Sequence, residues 1–160
     1  MSQYICVDIG GTSIKHGVLD ENAIIKECNQ TKTEAWLGGA AVLDKVKTIG
    51  KQYKEQYENI EGICISTAGM VDPEEGKIVF AGELMPGYTG ICIKKELEKA
   101  LEMPCEVEND VNCAGLAEYV SGSAKESHIM FCATVGTGIG GCAIVNGRVF
   151  HGASNSACEV

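Results

Sequence analysis

A chain of 160 residues with 45% hydrophobic and 22% charged residues and a mean hydropathy of +0.04 has a globular composition, which excludes the disordered and fibrous classes. A net charge of -9 and a pI near 4.8, with the 13 basic residues nowhere gathered into a stripe, argue against nucleic acid as a partner. No apolar run reaches the ~18 residues of a membrane span and no basic-then-apolar leader opens the chain, so a cytoplasmic protein without a membrane partner is expected.

In chain order, three strand-like runs come first: 4–8, 13–19 and 23–28, separated by Gly10-Gly11-Thr12 and by Asp20-Glu21-Asn22, both of which are turn chemistry. They predict an antiparallel meander. Between Trp36 and Tyr57 the apolar residues Val42, Val46, Ile49, Tyr53 and Tyr57 recur at three- and four-residue steps, which predicts an amphipathic helix with one face on a sheet. Trp36 and the tyrosines of this run are expected to pack rather than to cage a ligand. Residues 61–66 read as a buried strand. The following stretch, rich in glycine and proline, predicts a long functional loop with a short hairpin turning at Pro73-Glu74-Glu75-Gly76.

A short helix is expected over 93–101, ended before Pro104, then a strand at 105–108 and a second helix over 111–119 with Val111, Leu116 and Tyr119 facing a sheet. Gly122-Ser123 reads as a boundary. The runs 127–135 and 142–150 then predict two strands flanking a glycine-rich turn, which repeats the layout of the opening meander. The expected division is a first lobe over 1–121 and the first hairpin of a second lobe over 122–160. This order of elements predicts an α/β fold, a mixed sheet with a three-strand antiparallel meander and flanking helices. It is the order of the ribonuclease H-like half-domain of actin-like ATPases and sugar kinases, a likeness of fold only.

The nine cysteines are an odd number, no two have C-x-x-C spacing, and most lie in apolar runs. They are expected to be small buried hydrophobes in a reducing compartment. The histidines at 16, 128 and 151 have no metal-site spacing.

Three short stretches could carry chemistry. In the run Asp8-Ile9-Gly10-Gly11-Thr12-Ser13-Ile14-Lys15, the glycines let backbone N–H groups approach an anion, Thr12 adds a hydroxyl and Lys15 a charge. Asp8, at a strand end, suits a hydrated magnesium ion bridging phosphates. A hairpin turn with a solvated aspartate is the alternative. Residues Gly136-Thr137-Gly138-Ile139-Gly140-Gly141 spell a G-x-G-x-x-G. A dinucleotide fingerprint needs a helix to open there, whereas the β-branched residues that follow and the Asn146-Gly147 turn favour a phosphate-cradling hairpin. Asn109 and Asp110 stand where a strand passes into a helix. A carboxylate there feels the positive helix end and is poised as a general base, while capping by either residue is the alternative.

Taken together, the stretches 8–15, 66–78, 83–88, 104–118 and 134–153 with the terminal Ala157-Cys158-Glu159-Val160 resemble the ROK family of sugar kinases and repressors, over nearly the whole chain. The resemblance implies transfer of the γ-phosphoryl of ATP, with Mg2+, to a sugar hydroxyl, commonly the 6-hydroxyl of a hexose or hexose derivative. It implies Asp110 as catalytic base, and Asp8, Gly10, Gly11, Thr12, Ser13 and Lys15 as the first phosphate motif. The second motif is Gly136, Thr137, Gly138, Gly140 and Gly141. Gly69, Asn109 and Glu159 match positions that bind sugar hydroxyls. Ser13 stands where many relatives have Lys or Asn.

Family members continue past the counterpart of Val160 with a cysteine-rich zinc-binding segment and the rest of a second lobe, so this chain reads as a first lobe plus an opening hairpin. Zinc belongs only to a longer parent chain. Two rivals to a kinase remain: a sugar-sensing ROK regulator, disfavoured by the acidic charge and by a first strand that begins three residues after Met1, and a non-catalytic sugar-binding fragment. Which sugar is bound, and whether the protein pairs as a homodimer, stay open.

Overall fold

Alternation of inward and outward side chains sets the first sheet. In the computed structural model, which describes residues 1–136 and 138–158, strand β1 (Gln3–Ile9) buries Ile5, Val7 and Ile9 and turns Tyr4, Cys6 and Asp8 to the opposite face. Strand β2 (Ser13–Asp20) runs antiparallel to β1, with Lys15 opposite Asp8 in register. Strand β3 (Ile25–Lys32) pairs antiparallel with β2 and forms the edge. The turn into β3 is held by Asp20, whose Oδ1 accepts from the amides of Asn22 and Ile24. This is an aspartate turn of the kind the residues 20–22 predict. With β4 (Ile60–Thr67) and β7 (Cys105–Asn109) the sheet order is β3-β2-β1-β4-β7, and β4 lies parallel to β1.

Helix α1 (Gly39–Gln56) buries Val42, Val46, Ile49 and Tyr53, the periodic residues of its sequence, in one core with Ile5, Val7, Ile63 and Ile65. Helix α2 (Ile93–Leu101) adds Ile93, Leu97 and Leu101 to that core. Trp36 departs from expectation. It lies in a 3-10 turn, Ala35–Leu37, of which only Ala35 is buried, and Trp36 itself is 71% exposed.

Between β4 and α2 the long loop contains the hairpin β5 (Met70–Asp72) and β6 (Lys77–Phe80), which turns at 73–76. Tyr88 anchors the loop. Its ring is buried and its hydroxyl lies 2.7 Å from Thr67 Oγ1, and burial pushes the phenol up to about 12.

Contacts divide the chain into two compact units, Met1–Glu108 and a second that begins at Asn109. In the second, α3 (Asp110–Ser121) packs on an antiparallel sheet of β8 (Ile129–Val135), β9 (Ile139–Val145) and β10 (Arg148–Val149), in the order β10-β9-β8. Met130, Cys142 and Ile144 face Val111, Leu116 and Tyr119. The meander β8-β9-β10 reproduces the layout of β1-β2-β3.

The cysteines also depart from expectation. Only Cys105 and Cys142 are buried, Cys28 and Cys64 are exposed, and the rest are half-buried. Strand alternation is the reason, since it puts Cys6 and Cys64 on the face opposite Ile5, Val7, Ile63 and Ile65.

Candidate functional site

The first cluster is built where β1 and β4 end side by side. Asp8 and Ser66 are register partners on these parallel strands, and Ser66 Oγ donates to Asp8 Oδ1 at 2.8 Å. The carboxylate is half-buried, and across the other edge of β1 its register partner is Lys15, which is exposed. The turn that follows is closed by two bonds. The Gly10 amide donates to the Ser13 carbonyl at 3.0 Å, and the hydroxyl of buried Thr33 donates to the Gly10 carbonyl at 2.6 Å. The Gly10 amide is therefore spent on the turn. Gly11 and Thr12 form its exposed tip, and nothing lies within 4 Å of where a Gly11 Cβ would stand.

Gly69 follows the end of β4. It has φ +100°, and a Cβ on it would stand 2.8 Å from the Phe80 carbonyl oxygen, so this position excludes any other residue without strain.

The second cluster starts at the N-terminus of α3. Asn109 is buried and is the cap: its Oδ1 accepts from the amides of Val111 at 2.9 Å and Asn112 at 3.1 Å. Asp110 is exposed in the first helical turn, with Oδ1 2.9 Å from the Val111 amide. Capping thus falls to Asn109. Asp110 presents its carboxylate in the first turn of α3.

The glycine-rich turn joins β8 to β9, so a strand and not a helix follows it. Its glycines divide by surroundings. Gly136 donates its amide to the Gly138 carbonyl at 2.9 Å, and nothing lies within 4 Å of a Cβ at either. Gly140 is a packing residue, since a Cβ there would lie 2.4 Å from Val111 Cγ2 on α3. At Gly141 the neighbour is the Cys158 carbonyl oxygen, at 2.6 Å. Thr137 and Glu159 lie outside the described residues.

Among the described residues no group of three or more His, Cys, Asp or Glu is placed to hold a metal ion directly. A lone half-buried carboxylate such as Asp8 suits an ion that keeps its water shell, which is the habit of magnesium beside phosphates. Ser66 and Thr33 escape a reading of the sequence. The available signal for Ser66 was its place one residue before the end of its strand, the place that Asp8 holds in β1.

No helix among the described residues is long and apolar enough to cross a membrane.

Comparison with known proteins gives a consistent result. The profile of the ROK family matches residues 4–160. An uncharacterized protein of Clostridium perfringens is 52% identical over the whole chain, which covers 54% of that protein. A β-glucoside kinase of Listeria monocytogenes is 33% identical over 95% of the chain and 50% of its own length. Among solved structures, a ROK family glucokinase of Streptomyces griseus in complex with glucose and AMPPNP superposes with a TM-score of 0.86 at 30% identity, over 99% of this chain and 49% of that one. The chain spans about half the length of the relatives it matches.

Proposed function

The chain belongs to the ROK family and has the mixed-sheet fold of the actin-like ATPases, and from that premise we propose that it forms part of a kinase that transfers the γ-phosphoryl of ATP to a sugar hydroxyl. The 6-hydroxyl of a hexose or hexose derivative is the proposed acceptor. Relatives named glucokinase, β-glucoside kinase and N-acetyl-D-glucosamine kinase support that substrate class. Residues 1–121 are assigned to the first lobe of the kinase and 122–160 to the opening of the second, in the cytoplasm.

The observation that carries the reading is the division of labour at the start of α3. Asn109 is the cap, accepting from the Val111 and Asn112 amides, and the neighbouring carboxylate of Asp110, which also accepts from the Val111 amide, is exposed in the first turn. A carboxylate so placed accepts the proton of an attacking hydroxyl within ~3 Å and orients the oxygen for in-line attack. Asn109 is assigned to one sugar hydroxyl beside its role as cap. Gly69 and Glu159 are assigned to the remaining hydroxyls.

Towards the nucleotide, we assign the Gly10–Thr12 turn, Ser13 and Lys15 to one phosphate contact and the Gly136–Gly138 tip to another. Gly140 and Gly141 let α3 and the Cys158 backbone approach β9 and serve the phosphates by shaping that hairpin. Asp8, steadied by Ser66, would hold Mg2+ through water. Bound there, the ion would supply positive charge against the negative charge that develops in transfer.

The test is ADP release with Mg-ATP across a panel of hexoses, amino sugars and β-glucosides, with mass detection of the phosphosugar and with Asp110→Asn as control.

A further inference from the structure

The outward face of the first sheet carries two thiols that the kinase reading does not use. Cys6 on β1 and Cys64 on β4 are register partners on adjacent parallel strands. Their Cβ atoms point to the same face, because both alternate with the core residues Ile5, Val7, Ile63 and Ile65. Adjacent strands stand about 4.8 Å apart, which lies inside the roughly 4.4–6.8 Å Cα separation that a disulfide spans. Neither is in a disulfide; Cys64 is exposed and Cys6 half-buried. The Cys6 thiol hydrogen-bonds that of Cys64.

We propose that Cys6 and Cys64 are a peroxide-reactive thiol pair, in which Cys64 is oxidised first and Cys6 then closes a disulfide between β1 and β4. The order follows from position. The exposed thiol meets the oxidant, and its half-buried neighbour is held beside it as the resolving thiol, the arrangement of redox-sensing cysteines.

The steps balance. The Cys64 sulfur attacks one oxygen of a hydroperoxide, the O–O bond breaks, and the products are Cys64 sulfenic acid and the alcohol, or water where the oxidant is hydrogen peroxide. The Cys6 sulfur then attacks the Cys64 sulfur, the S–O bond breaks, and the departing hydroxide leaves as water with the Cys6 proton. The protein gives up two electrons and two protons, and the peroxide accepts them. A dithiol reductant reverses the change by exchange.

Among the described residues Cys132 on β8 and Cys142 on β9 are also register partners, but Cys142 is buried, as is Cys105 on β7. The pair lies two residues before Asp8 and Ser66 on the same strands. The proposal concerns the thiols themselves and stands whether or not the chain phosphorylates a sugar.

Tryptic cleavage separates the two thiols cleanly, since Cys6 is the one cysteine of Met1–Lys15 and Cys64 the one cysteine of Glu55–Lys77. The 160-residue chain is treated with hydrogen peroxide while folded, blocked with an alkylating agent before denaturation, digested, and mapped by mass spectrometry. The expected result is one dominant disulfide joining those two peptides, two hydrogens lighter than their sum and removed by reductant. In Cys6→Ser the linkage is lost and Cys64 is captured by dimedone as sulfenic acid, while Cys64→Ser abolishes both. The proposal is overturned if Cys64 pairs with other cysteines as readily as with Cys6, or if peroxide leaves Cys64 as open to alkylation as before. The disulfide map and the alkylation of Cys64 are read on wild-type chain whose circular dichroism is unchanged by the treatment, so a variant that fails to fold does not decide the proposal.

Discussion

Ser66 Oγ donates to Asp8 Oδ1 at 2.8 Å, tying together the ends of two parallel strands at the residue we assign to a hydrated cation. Ser66→Ala removes one hydrogen bond to a half-buried carboxylate. The expected cost is about 1 kcal/mol, or a fall in Tm of about 2–4 °C. Stabilisation of the folded chain by Mg-ATP should fall further than that, because Asp8 loses its orientation. Equal loss in apo and nucleotide-bound melts would give Ser66 a purely structural role.

Neighbouring residues at the start of α3 should separate stability from chemistry. Asn109→Ala removes the cap bonds to Val111 and Asn112 and is expected to cost about 1 kcal/mol in urea melts. Asp110→Asn leaves those bonds in place and should change stability by no more than about 0.5 kcal/mol. Sugar phosphorylation should respond in the opposite order, with Asp110→Asn the more damaging. A chain that Asp110→Asn unfolds would place the cap on the wrong residue.

The glycines divide into those that the backbone demands and those that stand open. Gly69→Ala forces a side chain into φ +100° and against the Phe80 carbonyl, so a loss of about 1–3 kcal/mol is expected. Gly136→Ala meets no neighbour within 4 Å and should stay within about 0.5 kcal/mol of wild type. Nucleotide affinity is the discriminating readout at Gly136. Unchanged affinity there would remove the hairpin tip from the phosphate contacts.

His16 supplies a pH dependence with a definite sign. Its Nδ1 lies 2.9 Å from the Tyr53 hydroxyl, and burial holds the imidazole below its ordinary 6.5, partly offset by Glu27. Below pH 6.5 the unfolded chain binds a proton that the folded chain refuses, so the stability contributed by neutral His16 is complete above 6.5 and falls as the pH drops towards the lowered folded value. Denaturant melts from pH 7.5 to 5.5 should show this decline, and His16→Gln should flatten it. A slope that survives the substitution would assign it to other groups.

Periodicity made most of this fold legible. The spacing of Val42, Val46, Ile49 and Tyr53 and the alternation of Ile5, Val7 and Ile9 are direct images of one buried face on a helix and on a strand. Strand β3 was harder to delimit, and runs on to Lys32, because it is an edge with almost no buried side chain and so leaves no alternation to read. Register between strands was invisible for the same physical reason that makes it informative. Nothing local to Cys6 or Ser66 announces that they stand beside Cys64 and Asp8. Asn109 and Asp110 are both good caps by composition, and only the direction of the Asn109 side chain decides between them. The glycines at 136–141 read as one motif in the sequence, yet Gly140 and Gly141 are crowded where Gly136 and Gly138 are open.

The most direct test of the central claim is sugar-dependent ADP release with Mg-ATP, measured side by side for wild type and Asp110→Asn with the melting temperature of each recorded in the same sugars. At least one hexose or hexose derivative is expected to drive ADP release, and Asp110→Asn to abolish the release while the sugar still raises the melting temperature. ADP release that persists in Asp110→Asn, or a panel in which no sugar either releases ADP or shifts the wild-type melt, would contradict the claim.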